Sequence, residues 1–183
     1  MRDLAPMARF GGLVASDLRD VTDDLGALDS SGFWAVAADF EGRTVCARFG
    51  DVREAPADAA LRARGWRGPS RGGWTSSMDR AAYEAGVRSV RARIATGEVY
   101  QVNLCRVLTA PLPAGVEPDI DALAGVLAGR NPGAYAGTIR LPAHGVEIAT
   151  ASPELFLHRD GTTVESGPIK GTARDAASLL DKD

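Results

Sequence analysis

Histidine and cysteine are scarce in this chain, with two of each among 183 residues. His144 lies in a Pro-Ala-His-Gly loop and His158 in a β-patterned run, so neither sits in a ligand cluster. That isolation argues against a histidine metal centre or a histidine base. Cys46 and Cys105 are far apart, without metal-ligand spacing, and read as free thiols of a reducing cytoplasm. No apolar run approaches the length of a membrane span. The opening Met1-Arg2-Asp3-Leu4-Ala5-Pro6 carries an acid where a secretory signal needs an apolar core. No basic stripe is interleaved with aromatics, which disfavours nucleic acid as a partner. Repeats and low-complexity tracts are absent too. The remainder is globular usage: 45% hydrophobic, 25% charged, net charge −3, enough for one ordinary domain with a sizeable core.

Residues 1–64 read as a mixed α/β N-terminal subdomain. Phe33–Ala38 and Thr44–Phe49 are short apolar strands around the turn Glu41-Gly42-Arg43, a candidate hairpin, and Ala57–Arg64 is a candidate short helix. The Gly/Pro/Ser-rich stretch 65–73 is the best linker, leaving 74–183 as a second domain. Residues 79–96 carry the clearest helical pattern. Tyr83, Val87, Val90 and Ile94 form one stripe, Ser77 or Asp79 is the N-cap, Glu84 and Arg88 stand in favourable order, and Gly97 stops the helix. Val99–Leu108 alternates as a strand with Gln101, Asn103 and Cys105 on a small polar face. That face suits either a pocket lining or an open sheet surface. A second helix is expected at Asp119–Ala128, ended by Asn131-Pro132-Gly133. Strands are expected near Tyr135–Leu141, Val146–Ala149, Leu155–Arg159 and Thr163–Ser166. This order implies an α+β fold with a mainly antiparallel sheet.

Asp160-Gly161 between β-patterned runs signals a two-residue hairpin loop. With that loop Leu157 faces Val164, and Glu154 faces Gly167. Lys170 then lies within roughly 10 Å of Glu154, given the interstrand spacing. A neutral lysine is a nucleophile, and a carboxyl shielded from water donates a proton. The pair suits displacement of a hydroxyl from a small anionic substrate. The same residues also fit a strand-end glutamate paired with a surface lysine, and the residues alone leave both readings open.

Four segments in order resemble one family: Gly97-Glu98-Val99-Tyr100-Gln101-Val102-Asn103-Leu104, Asn131-Pro132, Ala151-Ser152-Pro153-Glu154 and Pro168-Ile169-Lys170-Gly171-Thr172. They are similar to the successive motifs of the chorismate-binding enzymes, which include anthranilate synthase component I, aminodeoxychorismate synthase component I, isochorismate synthase and salicylate synthase. The resemblance covers about residues 74–183 well and the N-terminal part loosely. It implies a partial anthranilate synthase-like fold, with antiparallel sheets packed by helices and the C-terminal half missing. Water-using members carry a lysine where this chain has Gln101, and anthranilate synthases carry alanine where it has Lys170. Both positions imply the aminodeoxychorismate branch of p-aminobenzoate and folate biosynthesis, with anthranilate synthase as the alternative.

By that resemblance Lys170 attacks C2 of chorismate and Glu154 is the general acid for the leaving C4 hydroxyl. Gly171 and Thr172 hold the substrate, and Gln101 lines the pocket. Ammonia is expected from a glutamine amidotransferase partner, and Mg²⁺ from carboxylates in a later segment. No metal ligand is expected within these residues. Ala134 stands where tryptophan-binding members have a second proline, which speaks against a tryptophan site. The pattern breaks off at Asp183, so a truncated chain, inactive by itself or serving only to bind a partner, is expected. Its unpaired edges and open apolar faces would favour self-association.

Overall fold

The computed structural model describes residues 5–54 and 65–169. In chain order the elements are β1 (Met7–Phe10), β2 (Leu13–Thr22), β3 (Phe33–Ala38), β4 (Thr44–Glu54), β5 (Thr75–Ser76), α1 (Arg80–Ala95), β6 (Leu108–Thr109), α2 (Ile120–Arg130), β7 (Tyr135–Leu141), β8 (Val146–Ser152), β9 (Leu155–Asp160) and β10 (Thr163–Gly167). Short 3₁₀ turns occupy Leu25–Asp29 and Pro142–His144. The class is α+β, with antiparallel pairing throughout the described strands. The helix expected at Ala57–Arg64 lies outside the described residues.

The chain divides into two compact units, Met1–Trp66 with Asp119–Asp183, and Arg67–Pro118. The first unit holds a six-stranded sheet in the order β3-β4-β2-β1-β7-β8. Strands on both sides of the 65–73 stretch therefore share one sheet, rather than 1–64 forming a sheet of its own. The reason is β1: Ala8 pairs with Ala15 of β2 on one side and with Ile139 of β7 on the other. Neither β1 nor β2 stands out in the sequence, because alternation there is broken by Asp17, Arg19 and Asp20.

The sheet curls. Arg43, ahead of β4, donates from Nη2 to the carbonyl of His144 in the β7–β8 turn at 2.8 Å. Ala8, Ala15, Ala35, Val45, Ala47, Phe49, Ile139, Leu141 and Val146 form the enclosed core. Small alanines at Ala8, Ala15, Ala35 and Ala47 let the strands close tightly around Phe49 and Leu141.

On another side of the sheet, α2 packs against β7 and β8. Its N-cap is Asp119, whose Oδ1 accepts from the Ala122 amide at 2.9 Å. Asp121, in the first turn, bonds the guanidinium of Arg140, which is only 8% exposed. Arg140 also donates to the Ala5 carbonyl at 3.1 Å. The buried cation thus has both a carboxylate and a backbone oxygen.

In the second unit, Asp79 rather than Ser77 caps α1, accepting from the Ala82 amide at 2.7 Å. Glu84 pairs backward with Arg80 at 2.7 Å, not forward with Arg88. The strand expected over Val99–Leu108 shrinks to β6, Leu108–Thr109, paired with Thr75–Ser76. Residues 99–107 have no partner strand among the described residues, and an unpaired strand leaves its backbone groups unsatisfied. The segment instead lies along the Tyr83, Val87 and Val90 stripe of α1, with Leu104 against Gly86.

Among the described residues no helix is long and apolar enough to cross a membrane. Both cysteines are free, Cys46 buried and Cys105 exposed. Burial, then the nearby Asp24 and Asp23 carboxylates, push the Cys46 thiol up. We expect Ellman's reagent at neutral pH to titrate Cys105 at once and Cys46 only on unfolding; two fast thiols in the native protein would contradict this burial. Asp121→Ala strands a buried guanidinium, and we expect it to cost about 3 kcal/mol in urea unfolding. A loss under half a kcal/mol would show that Arg140 is solvated without its partner.

Candidate active site

The residues singled out at sequence level fall into three groups. Gln101 is in the second unit, exposed, on the irregular 99–107 segment rather than on a strand. Glu154 is in the first unit, at the junction of β8 and β9. Lys170, Gly171 and Thr172 lie outside the described residues, which end at Ile169.

The hairpin that carries Glu154 forms, but with a different register. Asp160 pairs with Thr163 and Arg159 with Val164, so the loop is Gly161-Thr162 and not Asp160-Gly161. Gly161 takes the first loop position at φ 55°, a left-handed value that glycine adopts without strain. Moving the loop by one residue shifts every cross-strand partner by two, so the side chains keep their faces. A bulge between Glu165 and Gly167 takes back one residue of that shift, so Gly167 pairs with Leu155 rather than with Glu154. Glu154 and Pro168 are left just beyond the last pair, at the open end of the hairpin.

Two of the four sequence segments meet at that end. Tyr135 pairs with Ser152, and Ala136 with Ala151. The turn Asn131-Pro132-Gly133 lies so close that a Cβ on Gly133 would stand 2.6 Å from the carbonyl oxygens of both Ala151 and Ser152. Ser152 Oγ donates to the Glu154 carbonyl at 3.2 Å and closes the turn around Pro153. The glutamate backbone is therefore fixed by a proline, a hydroxyl and an abutting loop.

Its side chain is not enclosed. Glu154 is exposed, so the shielded carboxyl expected from sequence is not formed by these residues. The hairpin around it is exposed as well, with Phe156 at 89% and Val164 and Ile169 near 60%. Among the described residues no group of three His, Cys, Asp or Glu side chains is placed to hold a metal ion. Sequence reasoning passed over two buried polar residues of the first unit, Arg140 and Thr138. Their signal was a charged and a hydroxyl side chain in the otherwise apolar run Tyr135–Leu141.

Comparison with known proteins agrees with the motif order. Residues 25–182 match the family described as chorismate binding enzyme. An anthranilate synthase component 1 of Haloarcula marismortui is 37% identical over 97 residues, 53% of this chain and 19% of that protein. The Streptomyces coelicolor anthranilate synthase component 1 is 32% identical over 126 residues, 66% of this chain and 24% of its own length. The aminodeoxychorismate synthase component 1 of Salmonella typhimurium is 32% identical over 99 residues, 54% of this chain and 20% of that protein. The chain thus spans about a fifth to a quarter of the curated relatives it matches. No solved structure matches it.

A two-stranded hairpin with both faces exposed is marginally stable. In hydrogen exchange, we expect the β9–β10 amides to lose protection well before those of β1, β2 and β7. Equal protection would show that the hairpin is part of the cooperative core.

Proposed function

We propose that this chain, which belongs to the chorismate-binding enzyme family, is part of an enzyme that converts chorismate and ammonia to 4-amino-4-deoxychorismate. The observation that carries the reading is the sequence Pro168-Ile169-Lys170-Gly171-Thr172 following a strand that runs beside Glu154. Membership supports an enzyme acting on chorismate, and relatives from two activities match at similar identity. The finer choice rests on Lys170 and Gln101.

Lys170, as the free amine, attacks C2 of chorismate. The ring double bonds shift, and the C4 hydroxyl leaves as water with a proton from Glu154. Ammonia then adds at C4, the double bonds shift back, and the C2–N bond breaks to release the lysine. The net change is ammonia in and water out. Gln101 has no basic nitrogen and cannot activate water, which leaves ammonia as the incoming group. Gly171 and Thr172 offer backbone and hydroxyl contacts to the substrate. Ammonia is drawn from a glutamine amidotransferase subunit or domain, in a cytoplasmic setting. The family resemblance also implies Mg²⁺. The described residues hold no carboxylate set that fits it, so no step here is routed through the metal.

The second reading, anthranilate synthase component I, is favoured by the names of several matching relatives. Product analysis separates the two. We expect the full-length protein, given chorismate and ammonia, to release 4-amino-4-deoxychorismate. Lys170→Ala should cost at least about 100-fold in rate, and Glu154→Gln a similar factor. Undiminished turnover in Lys170→Ala would remove the nucleophile, and anthranilate as the product would establish the second reading.

A further inference from the structure

A cavity of about 460 Å³ lies in the first unit, where α2 crosses β7 and the end of β1. Its volume falls in the range of small-ligand sites. Ala124, Leu127 and Ala128 line it from the helix, and Arg9, Phe10 and Thr138 from the sheet. The lining is mainly apolar, yet it contains polar atoms without partners. Among the described residues, Arg9 Nε and Nη1 and Thr138 Oγ1 are buried and make no hydrogen bond. Arg9 and Thr138 are direct cross-strand partners, so the guanidinium and the hydroxyl belong to one spot on the sheet. Thr138 is 1% exposed.

Arg140, two residues along the same strand, shows what a satisfied cation looks like in this unit. It has the Asp121 carboxylate and the Ala5 carbonyl. The buried Nε and Nη1 of Arg9 have neither, and burying donors without an acceptor is costly. One guanidinium and one hydroxyl in an otherwise apolar lining match a single negative charge on an apolar body. A dianion such as phosphate would place its second charge against Ala124 and Leu127, uncompensated. Phe10 also borders the cavity, at the end of β1, and its ring occupies the space beside Gly137 that a Cβ there would need.

We propose that this cavity binds a small monocarboxylate with an apolar body, for which benzoate is the probe, with Arg9 and Thr138 as its carboxylate partners. Glu154 is not part of its lining, although Pro132 and Gly133, from the turn that abuts Ala151 and Ser152, are. The test is calorimetric titration of the 183-residue chain with benzoate, benzamide and inorganic phosphate. Benzoate should bind, and neutral benzamide, of nearly the same shape, should bind at least about tenfold more weakly, because charged hydrogen bonds carry the difference. Phosphate should give no heat.

Arg9→Met should abolish benzoate binding, and Thr138→Val should weaken it several-fold. Circular dichroism checks the fold of each variant. If Arg9→Met does not fold, Arg9→Lys decides, and should keep the preference for benzoate over benzamide while binding more weakly. No heat with benzoate, equal affinity for benzoate and benzamide, or full binding in Arg9→Met would overturn the proposal. Benzoate binding by this chain, together with a full-length protein that releases no 4-amino-4-deoxychorismate from chorismate and ammonia, would overturn only the preceding reading.

Discussion

The first unit depends on a four-residue strand. β1 is the seam between two sets of strands that pair locally, β2 with β4 and β3 on one side, β7 with β8 on the other. Each set alone would have an open edge and a shallow apolar face. Joined through Ala8, they make one curled sheet whose two ends meet at Arg43 and His144, and the curl encloses the core. Such a short strand can hold this position because hydrogen bonding on both its edges is reinforced by burial. Ala8 itself is fully buried, and the Arg140 side chain reaches back to Ala5, just ahead of the strand.

Local signals in the sequence translated well into local structure. The hairpin of β3 and β4 and the span of β7 come from short apolar runs bounded by turn residues. Both helices come from a period near 3.6 with aspartate caps at Asp79 and Asp119. What failed was non-local. β1 is too short to show a period, and β2 is interrupted by a bulge between Leu18 and Asp20. The alternation in Val99–Leu108 is real, but the described chain supplies no partner strand, so it lies along a helix instead. The hairpin loop was misjudged by one residue because Asp160-Gly161 and Gly161-Thr162 are both acceptable loops, and the choice falls to the strand pairing beyond them.

The candidate site was legible as a list of residues and only partly as a geometry. Asn131-Pro132-Gly133 and Ala151-Ser152-Pro153-Glu154 do converge, and the cause is physical: a turn without a side chain at Gly133 abuts the carbonyls of Ala151 and Ser152. The environment of Glu154 was not legible. Shielding of a carboxyl is a property of whatever packs over it, and the described residues leave the hairpin bare. The family resemblance and the structure are therefore complementary. One implies roles, and the other shows how the backbone around Glu154 is held.

The seam also fixes an order of events during synthesis. Arg140 and Ala5 are 135 residues apart in the chain, and the strand pair they flank closes that whole interval at once. On the ribosome, β2, β3 and β4 emerge early and can zip together, while β1 has only one neighbour. Its second neighbour is not made until the entire Arg67–Pro118 unit has been translated. For that time the free edge of β1 is an adhesive site, open to other nascent chains on the same message. A long-range closure of this kind is slow compared with hairpin formation. The yield of folded protein in a cell should thus be governed less by the final stability of the sheet than by how long that edge waits.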